Sequence, residues 1–177
     1  MVWELDPAHT SAQFSVRHLG LMTVRGHMNL ISGRLETEGD LPTAAVVTLD
    51  PKTIDTREPK RDAHLRSPDF LLTDQHPQIR FEAKTITGRR DALKIVGDLS
   101  IRGVTRSVEL SGALTPVITD HMGKKRLGFS VETSIDRKEF GMEWNHLVDN
   151  ALMVGDEVKI SVEGEAFQAE QGAEGAA

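Results

Sequence analysis

The chain has 177 residues, a length that fits a single domain, and 38% of them are hydrophobic, which is enough for a packed core. Its formal net charge of −6 at pH 7 argues against a nucleic-acid partner, because neutralising phosphates requires a basic surface. It contains no cysteine, which excludes disulfide scaffolds, thiolate metal sites and cysteine nucleophiles.

The first residues lack the features of a targeting segment. Residues 1–6 have neither the basic start nor the apolar run of a secretory signal, and no apolar run reaches the roughly 18–20 residues that span a bilayer. We expect a cytoplasmic protein, or a periplasmic or secreted one if a signal has been removed. We predict one domain over residues 1–167 and a disordered tail over 168–177, which is rich in Glu, Gly and Ala.

Apolar and polar residues alternate in eight successive segments, the pattern of β-strands with one buried face. In chain order these are residues 12–16, 24–30, 45–49, 79–83, 93–101, 108–114, 127–131 and 158–166. Basic runs at 89–90 and 124–126 lie beside glycines and are interpreted as solvated hairpin tips. One buried face per strand allows a sandwich or a closed barrel. We predict an all-β fold, an extended eight-stranded antiparallel barrel with one or two short helices in long loops.

Two long stretches, 51–78 and 134–157, interrupt the strand pattern. In the first, Glu58 followed by Pro59 predicts the start of a short helix, because proline is favoured at the first helical position. Ser67 and the proline after it end that helix, and a second turn could follow. Both stretches carry apolar residues of their own, which is typical of lids on a rigid scaffold.

The buried faces contain few aromatic residues and many small ones. Because protein interiors tolerate empty volume poorly, small inward residues predict a hollow barrel that a guest molecule fills. The alternative is that the glycines mark bends and bulges of the sheet. The small residues are Ala12, Gly26, Ala45, Ala83, Gly97, Gly112, Gly164 and Ala166.

Several motifs follow one another along the chain. They are Trp3-x-Leu5-Asp6-x-x-His9-Thr10, Arg61-Asp62-x-His64-Leu65-Arg66-Ser67-x-Asp69-Phe70, His76-Pro77-x-Ile79-x-Phe81, Gly97-x-Leu99-x-Ile101-Arg102-Gly103 and Arg137-x-x-Phe140-Gly141. Together they resemble the YceI-like family of polyisoprenoid-binding proteins, from Trp3 to about Phe167. The resemblance implies a lipocalin-like barrel and a long-chain ligand such as a prenyl diphosphate or prenylquinone. Leu71 and Leu72 depart from the family, which often has another aromatic residue and an acid there.

The pattern and the resemblance together predict a carrier, storage or sensing protein with no catalytic residue, no metal and no cofactor besides a bound lipid. The residues expected to contact the ligand are Phe14, Val16, Met28, Leu30, Leu65, Phe70, Phe81, Leu99, Ile101, Leu110, Phe129, Phe140, Trp144 and Ile160. Arginine recognises phosphate through paired hydrogen bonds. The candidates for contact with a head group are therefore Arg17, His18, Arg61, His64, Arg66 and Arg137, although Arg61–Asp62 and Asp136–Arg137 could instead pair and fix the lids.

Other functions remain open at this point. The guest could be a fatty-acid type of amphiphile. A hydrolase is disfavoured, because the seven histidines lack metal-site spacing, no G-x-S-x-G motif is present, and Asp62 with His64 has no evident nucleophile. A third possibility is a protein-interaction module with a filled barrel. The apolar surface around Trp144 could also serve a homodimer.

Overall fold

The structure, a computed structural model, describes residues 1–169 and is built almost entirely of β-strands. The strands are β1 (Val2–His18), β2 (Met22–Glu38), β3 (Leu41–Asp55), β4 (Ile79–Arg89), β5 (Ala92–Ile101), β6 (Val104–Leu114), β7 (Ile118–Thr119), β8 (Lys125–Asp136), β9 (Leu147–Val148), β10 (Ala151–Leu152) and β11 (Val154–Gln168). One α-helix, α1 (Pro59–Arg66), and one 3-10 helix (Arg137–Phe140) lie between strands.

The long strands close into an antiparallel barrel. Each pairs with the next along the chain, β6 pairs with β8, and β11 pairs with both β8 and β1. All eight predicted segments lie in these strands, so the predicted eight-stranded barrel is confirmed. The last strand ends at Gln168, one residue beyond the predicted domain boundary. The remainder of the predicted tail, residues 170–177, lies outside the described part of the chain.

Both long interruptions are shorter than the sequence suggested, because β3 continues to Asp55, β8 to Asp136, and β11 begins at Val154. The loops are therefore 56–78 and 137–153, named here the first and second lid. The predicted helix start is confirmed, since the Glu58 side chain accepts from the Lys60 amide at 3.0 Å. No second helix follows in the first lid; the residues after Ser67 form irregular turns.

The barrel has two distinct ends. The lid end carries the β1–β2 turn and both lids, whereas the floor end carries the β2–β3 and β4–β5 turns and the segment from β6 to β8. At the floor end, Trp3 is buried and its Nε1 donates to Thr37 Oγ1 at 3.0 Å. Apolar residues thus form one cluster around Trp3 and another beneath the lids around Phe140.

The wall of the barrel has two short joints. β3 and β4 pair only over Val46–Leu49 and Ile79–Glu82, and β6 and β8 pair only over Ser111–Leu114 and Phe129–Glu132. The other neighbouring long strands pair over longer ladders. The barrel therefore consists of a three-stranded sheet, β4 to β6, and a five-stranded sheet joined at these two places. None of the helices in residues 1–169 is long and apolar enough to cross a membrane.

Candidate functional site: an apolar cavity inside the barrel

A cavity of about 240 Å³ lies inside the barrel. It begins among Leu5, Leu93 and Leu114 near the floor and extends to Phe70 and Met142 beneath the lids. All eight long strands contribute to its wall, which is almost wholly apolar. Because inward residues alternate with outward ones along each strand, the period-two pattern of the sequence is what makes the wall apolar.

The small residues do not all act as the sequence suggested. Gly26 lies directly beneath the Phe14 ring, where an added Cβ would come within 2.5 Å of Phe14 Cζ, and Gly97 lies beneath Phe81 in the same way. The prediction that these glycines leave empty volume is wrong, because each makes room for an aromatic ring of the wall. Ala12 and Ala45, by contrast, do line the cavity.

Most of the predicted contact residues come together around the cavity. Those that line it are Phe14, Val16, Met28, Leu65, Phe70, Phe81, Leu99, Ile101, Leu110, Phe129 and Ile160. Leu30 instead packs in the floor cluster, and Phe140 is buried in the cluster beneath the lids. Trp144 lies behind Phe70, with 5.5 Å between ring centroids, and does not reach the cavity. Contact with a ligand stays a prediction for the residues that do line it.

Several lining residues were missed by sequence reasoning. Ile54 extends the cavity because β3 continues past its predicted end, and Val154 does so because β11 begins earlier. Leu71 departs from the family pattern but contributes its side chain to the same wall. Simple alternation would not have found Val154, because the charged Asp156 lies between it and Val158 and the pairing of β1 with β11 shifts register there.

Arg137 lies against the cavity but is occupied by the protein itself. Its guanidinium donates to the carbonyl oxygens of Gly155, Met142 and Trp144 at 2.9, 2.5 and 2.9 Å. Burial lowers the pKa of the Arg137 guanidinium, and its carboxylate neighbour at 3.5 Å is Asp156, not the predicted Asp136. Arg137 therefore holds the second lid against β11 and has little capacity left for a head group.

Thr56 is at the centre of a hydrogen-bond network at the start of the first lid. Asp62 is buried and accepts from the Thr56 amide and hydroxyl at 2.9 and 2.6 Å, while Arg61 donates to the Thr56 hydroxyl and carbonyl. The predicted Arg61–Asp62 pair is thus not a direct one, because both side chains converge on Thr56. This arrangement fixes the start of α1 against the end of β3.

The two lids contact each other. His64 lies edge-on to both Phe70 and Trp144, with ring centroids 5.1 and 4.6 Å apart, and its Nε2 is 2.8 Å from Asp69. Arg102, for which the sequence predicted no role, donates to the Pro68 carbonyl of the first lid and the Gly141 carbonyl of the second, both at 2.7 Å. The lids are therefore joined by one aromatic cluster and one arginine.

The remaining head-group candidates lie away from the cavity wall. Arg17 is exposed and donates to the Gly20 carbonyl and the Thr23 hydroxyl in the β1–β2 turn. His18 is half-buried beside it, and Arg66 is half-buried at the end of α1. The structure does not bring these three side chains together with Arg61, His64 and Arg137 into one pocket.

A cluster of charged residues lies on the outside of the barrel near the floor. Asp6, His9 and Glu165 have potential ligand atoms within 4.8 Å of one another. Arg126 donates to both carboxylates at 3.2 Å and to Asp120 at 2.8 Å, so a cation already occupies the centre of the cluster. Arg126 was interpreted as part of a solvated hairpin tip, and this interpretation is wrong for that residue.

A closed antiparallel barrel of eight long strands around one apolar cavity places this protein in the lipocalin-like class of barrels. The sequence model of the YceI-like domain matches residues 3–166. The chain therefore belongs to the YceI-like family, as its motifs suggested.

Relatives and solved structures agree with this assignment. A UPF0312 protein of Staphylococcus aureus (strain N315) is 32% identical over 166 residues, which are 90% of this chain and 94% of that protein. Protein YceI of Shigella flexneri is 35% identical over 137 residues, 76% of this chain and 72% of that protein.

Two solved structures share the fold at low sequence identity. BcnA of Burkholderia cenocepacia is 17% identical with a TM-score of 0.79, and the superposition covers 93% of this chain and 99% of BcnA. A polyisoprenoid-binding domain from Saccharophagus degradans is 13% identical with a TM-score of 0.69, covering 95% of this chain and 98% of that domain. At such identities the likeness establishes the fold.

Proposed function

We propose that this protein binds a long-chain polyisoprenoid, of the prenyl diphosphate or prenylquinone type, inside the barrel as a carrier, store or sensor. The observation that carries the proposal is the apolar cavity that extends from the floor cluster to the lids. Membership of the YceI-like family and the shared fold with a polyisoprenoid-binding domain support it.

Burial of the tail supplies the binding energy in this proposal. Removing one methylene from water contributes roughly 0.8 kcal/mol, so ten to fifteen buried carbons would contribute about 8–12 kcal/mol before the costs of association. A wall without free donors selects its guest by shape. The flexible side chains of Met28 and Met142, both on the wall, suit an irregular guest.

The head group is expected at the lid end, outside the apolar wall. Of the two arginines that line the cavity, Arg137 already donates to backbone carbonyls and Arg34 is paired with Glu36; Arg61 donates to Thr56. Burying a charged head group without partners is costly. The tail therefore occupies the cavity, and the head group stays in contact with water at the lids.

A binding function without catalysis is also part of the proposal. Among the described residues, those lining the cavity include no Ser, His or Lys; the one carboxylate on the wall, Glu132, is exposed, and the one hydroxyl, Thr133, donates to the Glu109 carbonyl at 2.8 Å. Asp62 is committed to Thr56, and His64 to Asp69 and the aromatic cluster. The side chains that might have formed an acid–base pair therefore stabilise the first lid.

Lipid extraction tests the proposal. Freshly purified protein is analysed by native mass spectrometry and by solvent extraction, without added ligand, and a long-chain isoprenoid is expected in a near-stoichiometric amount. Emptied protein is then offered a prenylquinone and, in parallel, a long-chain fatty acid. Protein that is lipid-free and takes up neither compound would refute a carrier function, whereas preference for the fatty acid would refute the isoprenoid assignment.

A further inference from the structure

The lid end carries exposed apolar side chains on two neighbouring turns. Leu21, in the β1–β2 turn, is 80% exposed, and Leu147, in the β9–β10 hairpin, is 67% exposed. Met22, Val148 and Leu152 are exposed beside them. Single exposed apolar residues are ordinary, but a group of large ones marks a contact surface. We name these five residues the apolar tip.

The backbone holds the two turns of the apolar tip side by side. The Leu19 amide donates to the Met153 carbonyl at 3.1 Å, and His18 pairs with Val154 where β1 meets β11. Across the hairpin, Leu147 is paired with Leu152, so their side chains share one face. The tip is therefore one projecting group on two narrow turns.

The apolar tip borders the end of the cavity. Val16 lines the cavity and lies two residues before His18, and Val154 lines it directly after the hairpin. The apolar surface thus continues from the wall of the barrel, along the last residues of β1 and the first of β11, to the exposed turns. A guest that leaves at this end would leave next to the tip.

We propose that the apolar tip inserts into the surface of a phospholipid bilayer. A stable dimer buries roughly 800 Å² on each partner from about 20–30 residues, far more than two narrow turns can supply. Apolar side chains that project from a folded surface can instead enter the boundary between head groups and acyl chains. Arg17 beneath one turn and Asp149 in the other carry opposite charges, so binding does not depend on anionic lipid.

Vesicle flotation with matched variants tests the proposal. The tip variant combines Leu21→Ser, Leu147→Ser and Leu152→Ser, and the floor variant combines Ile118→Ser and Met122→Ser. The floor variant is the control, because Ile118 and Met122 are 62% and 71% exposed at the opposite end of the barrel. With phosphatidylcholine vesicles, the wild type and the floor variant are expected to float, while the partitioning of the tip variant falls at least tenfold. Replacing a third of the lipid with phosphatidylglycerol should change binding less than twofold.

Three results would overturn the proposal. The wild type could remain with the soluble fraction, or both variants could lose flotation equally. Alternatively, sedimentation velocity could show a wild-type dimer that the tip variant abolishes, which would assign the tip to a second copy of this chain. Circular dichroism melting of both variants shows that they are folded. Since flotation needs no added guest, its outcome is independent of whether the cavity binds a polyisoprenoid.

Discussion

At the scale of single residues, arginines determine much of this structure. Arg137, Arg102 and Arg61 each donate to main-chain carbonyls at the lids, and Arg126 joins three carboxylates near the floor. Arginine has five donors in a fixed plane, so one side chain can satisfy several acceptors at once. From the sequence, Arg61 and Arg137 were expected at the lids, either in contact with a head group or paired with Asp62 and Asp136. Their carbonyl acceptors leave no signature in the sequence.

Asp120 makes the stability of the fold depend on pH in the acidic range. The Arg126 side chain and the Lys124 amide donate to its carboxylate and lower the pKa of Asp120 to about 2 from its usual 3.8. A lowered folded-state pKa contributes stability that is present above the unfolded value and is lost as pH falls towards 2. We expect the urea midpoint of the wild type to fall between about pH 4 and 2, and the Asp120→Asn variant to fall less steeply.

The urea midpoint of the Asp120→Asn variant is still expected to fall somewhat with pH, because hydrogen bonding to His9 also lowers the pKa of Asp6. Equal slopes for the wild type and the variant would show that Asp120 does not contribute to the acid dependence.

At the scale of elements, Arg102 connects two lids that are far apart in sequence. The Arg102→Ala variant removes hydrogen bonds to Pro68 and Gly141 and leaves their carbonyls without this partner. We expect a loss of roughly 2 kcal/mol in the free energy of unfolding, and faster amide exchange in both lids. Hydrogen-exchange mass spectrometry of residues 66–72 and 141–145 measures the second effect.

Arg106→Ala is the matched control, because Arg106 donates to the Glu139 carbonyl at 3.2 Å and contacts the second lid from the same hairpin. It should accelerate exchange in the second lid alone. If Arg102→Ala left exchange in the first lid unchanged, Arg102 would not be the connection between the lids.

The presence of the eight long strands was predictable from the sequence. Several strand ends and cross-strand side-chain contacts were not. The eight segments follow from period-two alternation, which tertiary context rarely reverses when one face is buried. The pairing of β3 with β2 shifts register after Asp50, and this irregularity hides the continuation of the strand to Asp55. Gly26 lies opposite Phe14 in the β1–β2 ladder, and only this register reveals that a ring covers the glycine.

At the scale of the whole molecule, the floor cluster sets the depth of the cavity. Trp3, Leu127 and Ala166 are buried in this cluster and do not line the cavity. Ala45 lines it nearby, on β3, opposite Leu35, which is itself paired with Trp3. If the proposed guest binds, the floor limits the length of tail that the barrel can enclose.

The Ala45→Phe variant is expected to shorten that length. Displacing about four carbons of a long tail would cost about 3 kcal/mol, more than a hundredfold in Kd, while a short tail that ends above Ala45 would lose little. Titration with prenylquinones of long and short tails measures the difference. Ala44→Phe is the control, since Ala44 is the preceding residue and does not line the cavity. Equal losses for both tails would contradict a length limit at the floor.

The two short joints of the wall are the places where the barrel can widen most easily. Within residues 1–169, two backbone ladders connect the three-stranded sheet to the rest, between Val46–Leu49 and Ile79–Glu82 and between Ser111–Leu114 and Phe129–Glu132. Fluctuations that widen the lumen need to break fewest backbone hydrogen bonds there. If one joint opened and Arg102 and Arg106 released the lids, strands β4 to β6 would tilt outward as one unit about the other joint, while the five-stranded sheet kept its long ladders.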